Sequence, residues 1–461
     1  MTNWTDKNIL ILGAARQGLA LARYLTKHGA KVTLNDKRMP NELKDEQDSL
    51  KDIDVEWMLG AHFSSLLNGK DLVCLSGGIP LNLPIVRDAQ RRKTPLSNDT
   101  QIFLEDCPCR TIGITGSAGK TTTTTIVGRI AKEAFRKSEN KVWVGGNIGD
   151  PLLNYVDEMK EDDLAILEIS SFQLDQISLS TNIAALLNVT PNHLDRHGTM
   201  EAYAAAKARL LQNQKTEDIA IIGREDEGAW SMAAFSPGKM FTFGSKPLVE
   251  SESGTYPLND YIYFRDERMD IPLIPMKSIH LRGNHNLLNV LAAATIAFVA
   301  GFPPKAMEAA LEDFHGVEHR LELVREWKGA AWYNNSIATA PERVMAAVRS
   351  FDEPIVLMLG GRDKKLPWGK LAELIRQRVD HVVLFGEAAQ KIAAAMGGRR
   401  AGERPYTISH CIGLEDAVEA AAKVAEEGDV ILLSPGGTSF DEFKDFAQRG
   451  ESFRKWVLEL S

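Results

Sequence analysis

Along the first hundred residues, short apolar runs alternate with amphipathic stretches. "NILILG" (8–13) precedes "QGLALARYLTKHG", whose apolar positions recur at helical spacing, and "KVTLND" (31–36) follows. "DLVCLS" (71–76) and "TPLSN" (94–98) continue the series. Short β-branched runs separated by helical patterns predict βαβ units and a parallel sheet. A second unit begins near Asp99, with "TIGIT", "KVWVGGNIG", "LAILEIS", "IAALLNVT" and "DIAIIGRE" as strands between helices. A more extended stretch runs from "MFTFGS" to "YIYFRDERMDIPL", and an apolar helix over 286–300 with "AMEAALEDF" closes the unit. From Val317 onward, "PIVLMLGGRD", "HVVLFGEA" and "DVILLSPGG" end apolar strands in glycines or polar residues, a second doubly wound pattern. The expected architecture is α/β in three domains, 1–98, 99–316 and 317–461. The first and last are Rossmann-like and the middle one resembles a P-loop ATPase.

The length of 461 residues is compatible with three such domains. With 44% hydrophobic and 25% charged residues, the chain reads as globular. Its 54 basic against 62 acidic side chains give a formal charge of −8, which argues against nucleic-acid or anionic-membrane partners. No charged n-region followed by an apolar h-region opens the chain. The apolar run Asn289 to Phe302 falls short of the ~20 residues a bilayer span needs, so a cytoplasmic protein is expected. The four cysteines, Cys74, Cys107, Cys109 and Cys411, form no framework and fit a reducing compartment. Cys74 reads as core. "CPC" at 107–109 is too short for a CxxC redox or zinc motif and reads as two incidental thiols.

Three places carry candidate chemistry. In the first loop Gly13 and Gly18 are present, but Ala15 takes the middle position of a dinucleotide fingerprint. Asp36 ends the second strand at about the right distance. A strand–helix turn without ligand and a nucleotide-type site without NAD chemistry both remain open there. "TIGITGSAGKTTTTT" (111–125) is clearer. The first glycine of the full P-loop pattern is Ile114, leaving Gly116-Ser117-Ala118-Gly119-Lys120-Thr121 between a strand and a helix. Backbone N–H groups at that helix start would cradle phosphates, Lys120 would reach them, and Thr121 could ligate Mg²⁺. Downstream, Glu168 ends an apolar strand, either as a Mg²⁺ partner or as a solvated strand terminus. His193 and His197 are spaced i,i+4 without a third zinc ligand and read as structural. Lys207, in an alanine-rich helix, would ordinarily lie at the surface.

Taken in order, "TGSAGKTTT", "EISSFQLD", "NVTPNHLDRHG" with "AAKARL", "RGNHNLLNVLAA", "GVEHRLE", "GGRDKK" and "LLSPGGTSFDEFKDFAQRGESF" resemble the Mur ligases, ATP-dependent amide ligases of peptidoglycan synthesis. The likeness spans essentially the whole chain, and the ending is most similar to the member that adds D-glutamate to UDP-N-acetylmuramoyl-L-alanine. The resemblance implies that ATP phosphorylates the substrate carboxylate and that the glutamate amine attacks the acyl phosphate. It implies ATP contacts from Gly116, Ser117, Ala118, Gly119, Lys120, Thr121, Thr122, Asn286 and Arg320. Mg²⁺ would be held by Thr121, Glu168, His193 and a carbamylated Lys207, and Lys120, Glu168, His193 and Lys207 would form the catalytic set. Arg16, Gln17, Asp36, Asn147 and His193 map to the UDP-substrate, and Thr339, Lys364, Ser439 and Phe446 to glutamate. A monomer is expected. Four departures stand out: Ala118 replaces an asparagine of the loop, Asn192 an aspartate, and Asn335 and Ile337 an aspartate and a lysine. Lys365 could supply the missing cation. The alternatives are another Mur-type step or amino acid such as L-glutamate, folylpolyglutamate synthase, a NAD-linked dehydrogenase or a switch GTPase. The first domain argues against the folate enzyme, Ala15 against the dehydrogenase, and the lack of N-K-x-D against the GTPase.

Overall fold

The computed structural model describes residues 2–249, 251–266, 269–364, 366–397 and 406–461. Contacts divide the chain into two compact units, Met1–Ile279 with Asn284–Asp313, and His280–Gly283 with Phe314–Ser461. The C-terminal unit therefore begins three residues before the expected 317 and also takes in a short upstream segment. Lys365 lies outside the described residues.

Two of the three sheets belong to the first unit. One has five parallel strands in the order Val55–Leu59, Lys31–Asp36, Asn8–Leu12, Leu72–Leu75, Leu96–Ser97. The apolar run 8–12 sits at its centre because parallel strands are covered on both faces, and its last four residues are buried. Strand order reverses between Asn8–Leu12 and Leu72–Leu75, which opens a crevice at their carboxyl ends. The loop there needs Gly18, since a Cβ at that position would lie 1.9 Å from the Gly13 carbonyl oxygen.

The second sheet has nine strands. Arg110–Thr115 lies third from one edge, between Leu164–Glu168 and Ile183–Leu186, and parallel to both. The extended stretch seen in the sequence adds Gly254–Leu258 in parallel, then Tyr261–Asp266 and Met269–Pro275 as an antiparallel edge. Helix Lys120–Ala134 continues directly from the loop after Arg110–Thr115, and the apolar helix Asn284–Ala300 packs on it. None of the helices among the described residues is long and apolar enough to cross a membrane.

The helix Asp99–Asp106 joins the two sheets. Asn98 caps it by accepting from the Gln101 N–H at 2.8 Å, and donates to the Gln173 carbonyl at 2.7 Å. At its other end Asp106 accepts from the Thr2 N–H (2.6 Å), Trp4 Nε1 (3.4 Å) and the Tyr24 hydroxyl (2.7 Å). Asp99 is buried; its Oδ2 accepts from Gln173 Nε2 at 3.3 Å, and its Oδ1 has no hydrogen-bond partner. Burial raises the Asp99 carboxyl to about 6, against the hydrogen bonds from Gln173 and backbone N–H groups.

The second unit is a six-stranded sheet in the order Glu322–Trp327, Ala330–Asn334, Val430–Gly436, Ile355–Gly360, His381–Phe385, Thr407–His410. Only the Glu322–Trp327 pairing is antiparallel. Arg282, from the upstream segment, pairs with Glu353 and lies 5.7 Å and 5.8 Å from the Tyr333 and Phe351 rings. The α/β class expected from the hydrophobic pattern is what the chain forms.

Candidate active site

The loop Gly116–Gly119 leaves strand Arg110–Thr115 and enters helix Lys120–Ala134. Gly119 adopts φ +83°, and a Cβ there would meet Asn289 Oδ1 at 2.2 Å, so the position admits only glycine without movement. Ser117 is fixed three ways. Its hydroxyl donates to the Thr190 carbonyl (2.9 Å), accepts from the Thr190 N–H (2.9 Å) and meets the Tyr203 hydroxyl at 2.8 Å. Ala118 is clamped by one side chain. Asn188 Oδ1 accepts from the Ala118 N–H at 2.8 Å while its Nδ2 donates to the Ala118 carbonyl at 3.1 Å. The Asn188 backbone carbonyl takes the Ser117 N–H as well, at 2.9 Å. The N–H groups left for an anion are those at the start of the helix, where the macrodipole also favours negative charge. Thr122, counted with the loop on sequence grounds, is buried.

Two lysines converge on one oxygen. Lys120 Nζ and Lys207 Nζ each donate to the Gly116 carbonyl at 2.9 Å, and Lys207 also reaches Thr115 Oγ1 at 3.2 Å. Lys207 is only 1% exposed, so the surface position an alanine-rich helix suggests is corrected. Small alanines let its helix pack tightly, and Tyr203, one turn earlier, places its ring 4.9 Å from the amine. Burial, and then the charge of Lys120, drive the Lys207 amine well below its ordinary range; Glu168 opposes them.

Glu168 pairs in register with Ile114, two residues before Gly116. It is a buried carboxylate, not a solvated strand terminus. Oε1 accepts from Asn147 Nδ2 at 2.8 Å, and Oε2 is buried without a hydrogen-bond partner. A buried carboxylate oxygen with no donor calls for a cation. With the part-exposed Thr121 at the helix start, these donors fit a hard divalent ion. The histidine pair splits in role. His197 stacks on Phe172 (5.1 Å, 5°) and meets Ser171 Oγ at 2.9 Å, a packed position. His193 is exposed, with φ +53°, edge-on to the same ring.

At the crevice of the first sheet, Gln17 Oε1 accepts from the Gly77 N–H (2.9 Å), and Arg16 donates to the Gly149 carbonyl (2.8 Å). Asp36 accepts from the Ala14 N–H (2.8 Å) and from the backbone and side chain of Arg38. Burial alone would raise its carboxyl, but these bonds win and hold it at about 2. In this arrangement Asp36 braces the loop.

In the second unit, Lys364 donates to Thr339 Oγ1 at 3.2 Å, and burial, then Arg343 and Arg449, lower its pKa. Ser439 is buried, and the Phe446 carbonyl accepts from Ser336 Oγ at 2.7 Å. Arg320 belongs to this unit, whereas Asn286, which accepts from Asn289 Nδ2 (3.2 Å), belongs to the first. Asn335 is satisfied internally by Ser434 (3.0 Å) and the Leu321 N–H (3.3 Å), and Ile337 is half-buried. Sequence reading missed Arg449. Its guanidinium is fully buried, donates to Ser336 and the Gly437 carbonyl, and is lowered to about 10 by burial against Asp441 and Glu442. Its place one turn after Phe446 was a usable signal. Tyr203, one turn before Lys207, and Asn188, in "NVT", were equally within reach.

Three family descriptions match the chain: "Mur ligase MurD-like, N-terminal domain" over 7–97, "Mur ligase middle domain" over 114–297, and "Mur ligase, glutamate ligase domain" over 319–437. The chain is 36% identical over 456 residues to a UDP-N-acetylmuramoylalanine–D-glutamate ligase of Koribacter versatilis, covering 99% of this chain and 98% of that one. The same identity extends over 458 residues to the protein of that name in Acetivibrio thermocellus, covering 99% and 97%. Among solved structures, a UDP-N-acetylmuramate-alanine ligase from Thermotoga maritima matches with a TM-score of 0.57 at 17% identity, covering 98% and 99%. A MurF ligase from the same organism, in complex with ADP, matches with a TM-score of 0.55 at 17% identity, covering 100% and 99%.

Proposed function

The chain belongs to the Mur ligase family, and we propose that it joins D-glutamate to UDP-N-acetylmuramoyl-L-alanine at the expense of ATP. A carboxylate is a poor electrophile at neutral pH. Phosphorylation by ATP converts it to an acyl phosphate, whose attack by the glutamate amine forms the amide and releases phosphate. Positioning and charge stabilisation then supply most of the acceleration. The observation that carries the ATP chemistry is Glu168 Oε2, a buried, donor-less oxygen on the strand beside the phosphate loop. The choice of D-glutamate rests on the full-length similarity to ligases of that name.

In this reading Lys120 leaves the Gly116 carbonyl for the β/γ-phosphates, and the N–H groups of the helix start, with Asn286 and Arg320, hold the rest of the nucleotide. Thr121, Glu168 and His193 would hold Mg²⁺, which would neutralise developing phosphate charge. Burial and the charge of Lys120 favour the neutral Lys207 amine that carbamylation requires, and the carbamate would turn a repelled cation into an anionic ligand. Arg16, Gln17, Asp36 and Asn147 receive the UDP-substrate, and Thr339, Lys364, Ser439 and Phe446 receive glutamate. A cytoplasmic monomer completes the proposal. Phosphate release is measured with Mg-ATP, the UDP-precursor and either glutamate enantiomer. Release requiring every component and preferring D-glutamate is expected; equal rates with L-glutamate, or release without the precursor, would refute it.

A further inference from the structure

The ligase chemistry makes no use of Cys107 and Cys109. Cys107 is the C-terminal cap of helix Asp99–Asp106, and Cys109 immediately precedes strand Arg110–Thr115. Pro108 alone separates them and restricts the backbone between. The two sulfurs lie 3.5 Å apart, and Cys107 Sγ also approaches the Cys109 carbonyl at 3.7 Å. Closing that separation to the ~2.05 Å of a disulfide takes a movement of about 1.5 Å. Access is unequal: Cys107 is part-exposed, whereas Cys109 is buried.

We propose that Cys107 and Cys109 are a reversible thiol–disulfide exchange site, in which Cys107 attacks and Cys109 resolves. The thiolate of Cys107 displaces one thiolate from a small-molecule disulfide and forms a mixed disulfide. The thiolate of Cys109 then attacks the Cys107 sulfur and expels the second. Two protein thiols are oxidised, the reagent is reduced to two thiols, and the protons released by the cysteines end on them. The sulfur–sulfur hydrogen bond lowers the Cys107 thiol against the opposing effect of burial, and raises that of Cys109. Cys107 is thus the thiolate available first. A ring closed over a single intervening residue is strained, which makes the bond labile and easily reduced. Transient disulfides of this kind are the sort compatible with a reducing compartment.

The position gives the bond a consequence. It would tie the end of the helix that anchors Thr2, Trp4 and Tyr24 through Asp106 to the start of the strand that carries the phosphate loop. Cys74, fully buried, and Cys411, in the other unit, serve as internal controls.

Cystamine is a suitable probe, because Glu161, Glu217 and Asp218 outnumber Arg110 among the charged residues that line, with Pro108 and Cys109, the cleft next to Cys107 in the chain. The folded full-length protein is treated with cystamine, alkylated and mapped by peptide mass. The expected product is a Cys107–Cys109 peptide lacking two hydrogens, fully restored by dithiothreitol, while Cys74 and Cys411 are not linked. In Cys109→Ser the mixed disulfide should persist on Cys107. A stable mixed disulfide on Cys107 in the unsubstituted protein would overturn the proposal. So would the absence of any link, or a link that forms only in urea.

Discussion

Replacing Asn188 by alanine removes both hydrogen bonds that hold the Ala118 peptide, at 2.8 Å and 3.1 Å, and leaves the buried elements around them intact. A hydrogen bond contributes ~0.5–1.5 kcal/mol net, so the pair is worth about 1–3 kcal/mol. Ala118 is exposed, and water replaces part of what is lost, which favours the lower half of that range. A loss of ~1.4 kcal/mol corresponds to about tenfold weaker nucleotide binding. The clamp sets the loop before any reaction, so the loss should fall on ATP affinity more than on turnover. Calorimetric titration with Mg-ATP, paired with steady-state phosphate release, separates the two. Asn188→Asp keeps the acceptor for the Ala118 N–H but loses the donor and adds a negative charge beside the phosphates. It should therefore bind ATP more weakly than Asn188→Ala. If Asn188→Ala binds ATP as tightly as the parent, or loses turnover at unchanged affinity, the clamp does not position the loop.

Gly119→Ala combines a left-handed residue, costing ~1–2 kcal/mol, with displacement of Asn289; nucleotide binding measured by calorimetry should fall by tenfold or more. The Asp99 carboxyl at about 6 lies ~2 units above its unfolded value, at 1.36 kcal/mol per unit, so its ionisation removes about 3 kcal/mol of stability. That contribution is fully retained below pH ~4 and lost as pH rises through 6. Asp99→Asn should therefore gain stability over the parent between pH 5 and 8 and match it near pH 4, which urea melts of the first unit's transition would check. Lys207→Met removes a buried amine whose pKa is depressed, so its stability advantage should grow as pH falls below 10, while ligase activity is lost. Thermal melts at several pH values, with bicarbonate-dependent activity of the parent as the functional arm, test both halves.

The elements were readable because apolar runs such as 9–12 and 164–167 are buried on both faces and carry little else. The phosphate loop was readable because its glycines and lysine answer a local backbone requirement. Lys207 was not, since nothing in "YAAAKARL" tells a buried lysine from a solvated one until Thr115 and Gly116, some ninety positions away, are brought against it. Asp36 shows the converse. Its position in the sequence suggests a ligand contact, but not the bonds from Ala14 and Arg38 by which it also braces the loop. The proximity of the Cys107 and Cys109 sulfurs depends on side-chain rotation, which spacing does not encode.

The chain passes from the first unit to the second at 279/280, returns at 283/284 and leaves again at 313/314. A ribosome therefore emits the Arg282 segment before the body that Arg282 braces, and then completes the first unit with 284–313. A fragment started at Phe314 would lack the partner of Glu353 and the cation over Tyr333 and Phe351. Such a fragment is an incomplete object, lacking four residues that belong to its own unit. Dissection of this protein by truncation is better made by circular permutation that keeps residues 280–283 joined to the C-terminal sheet.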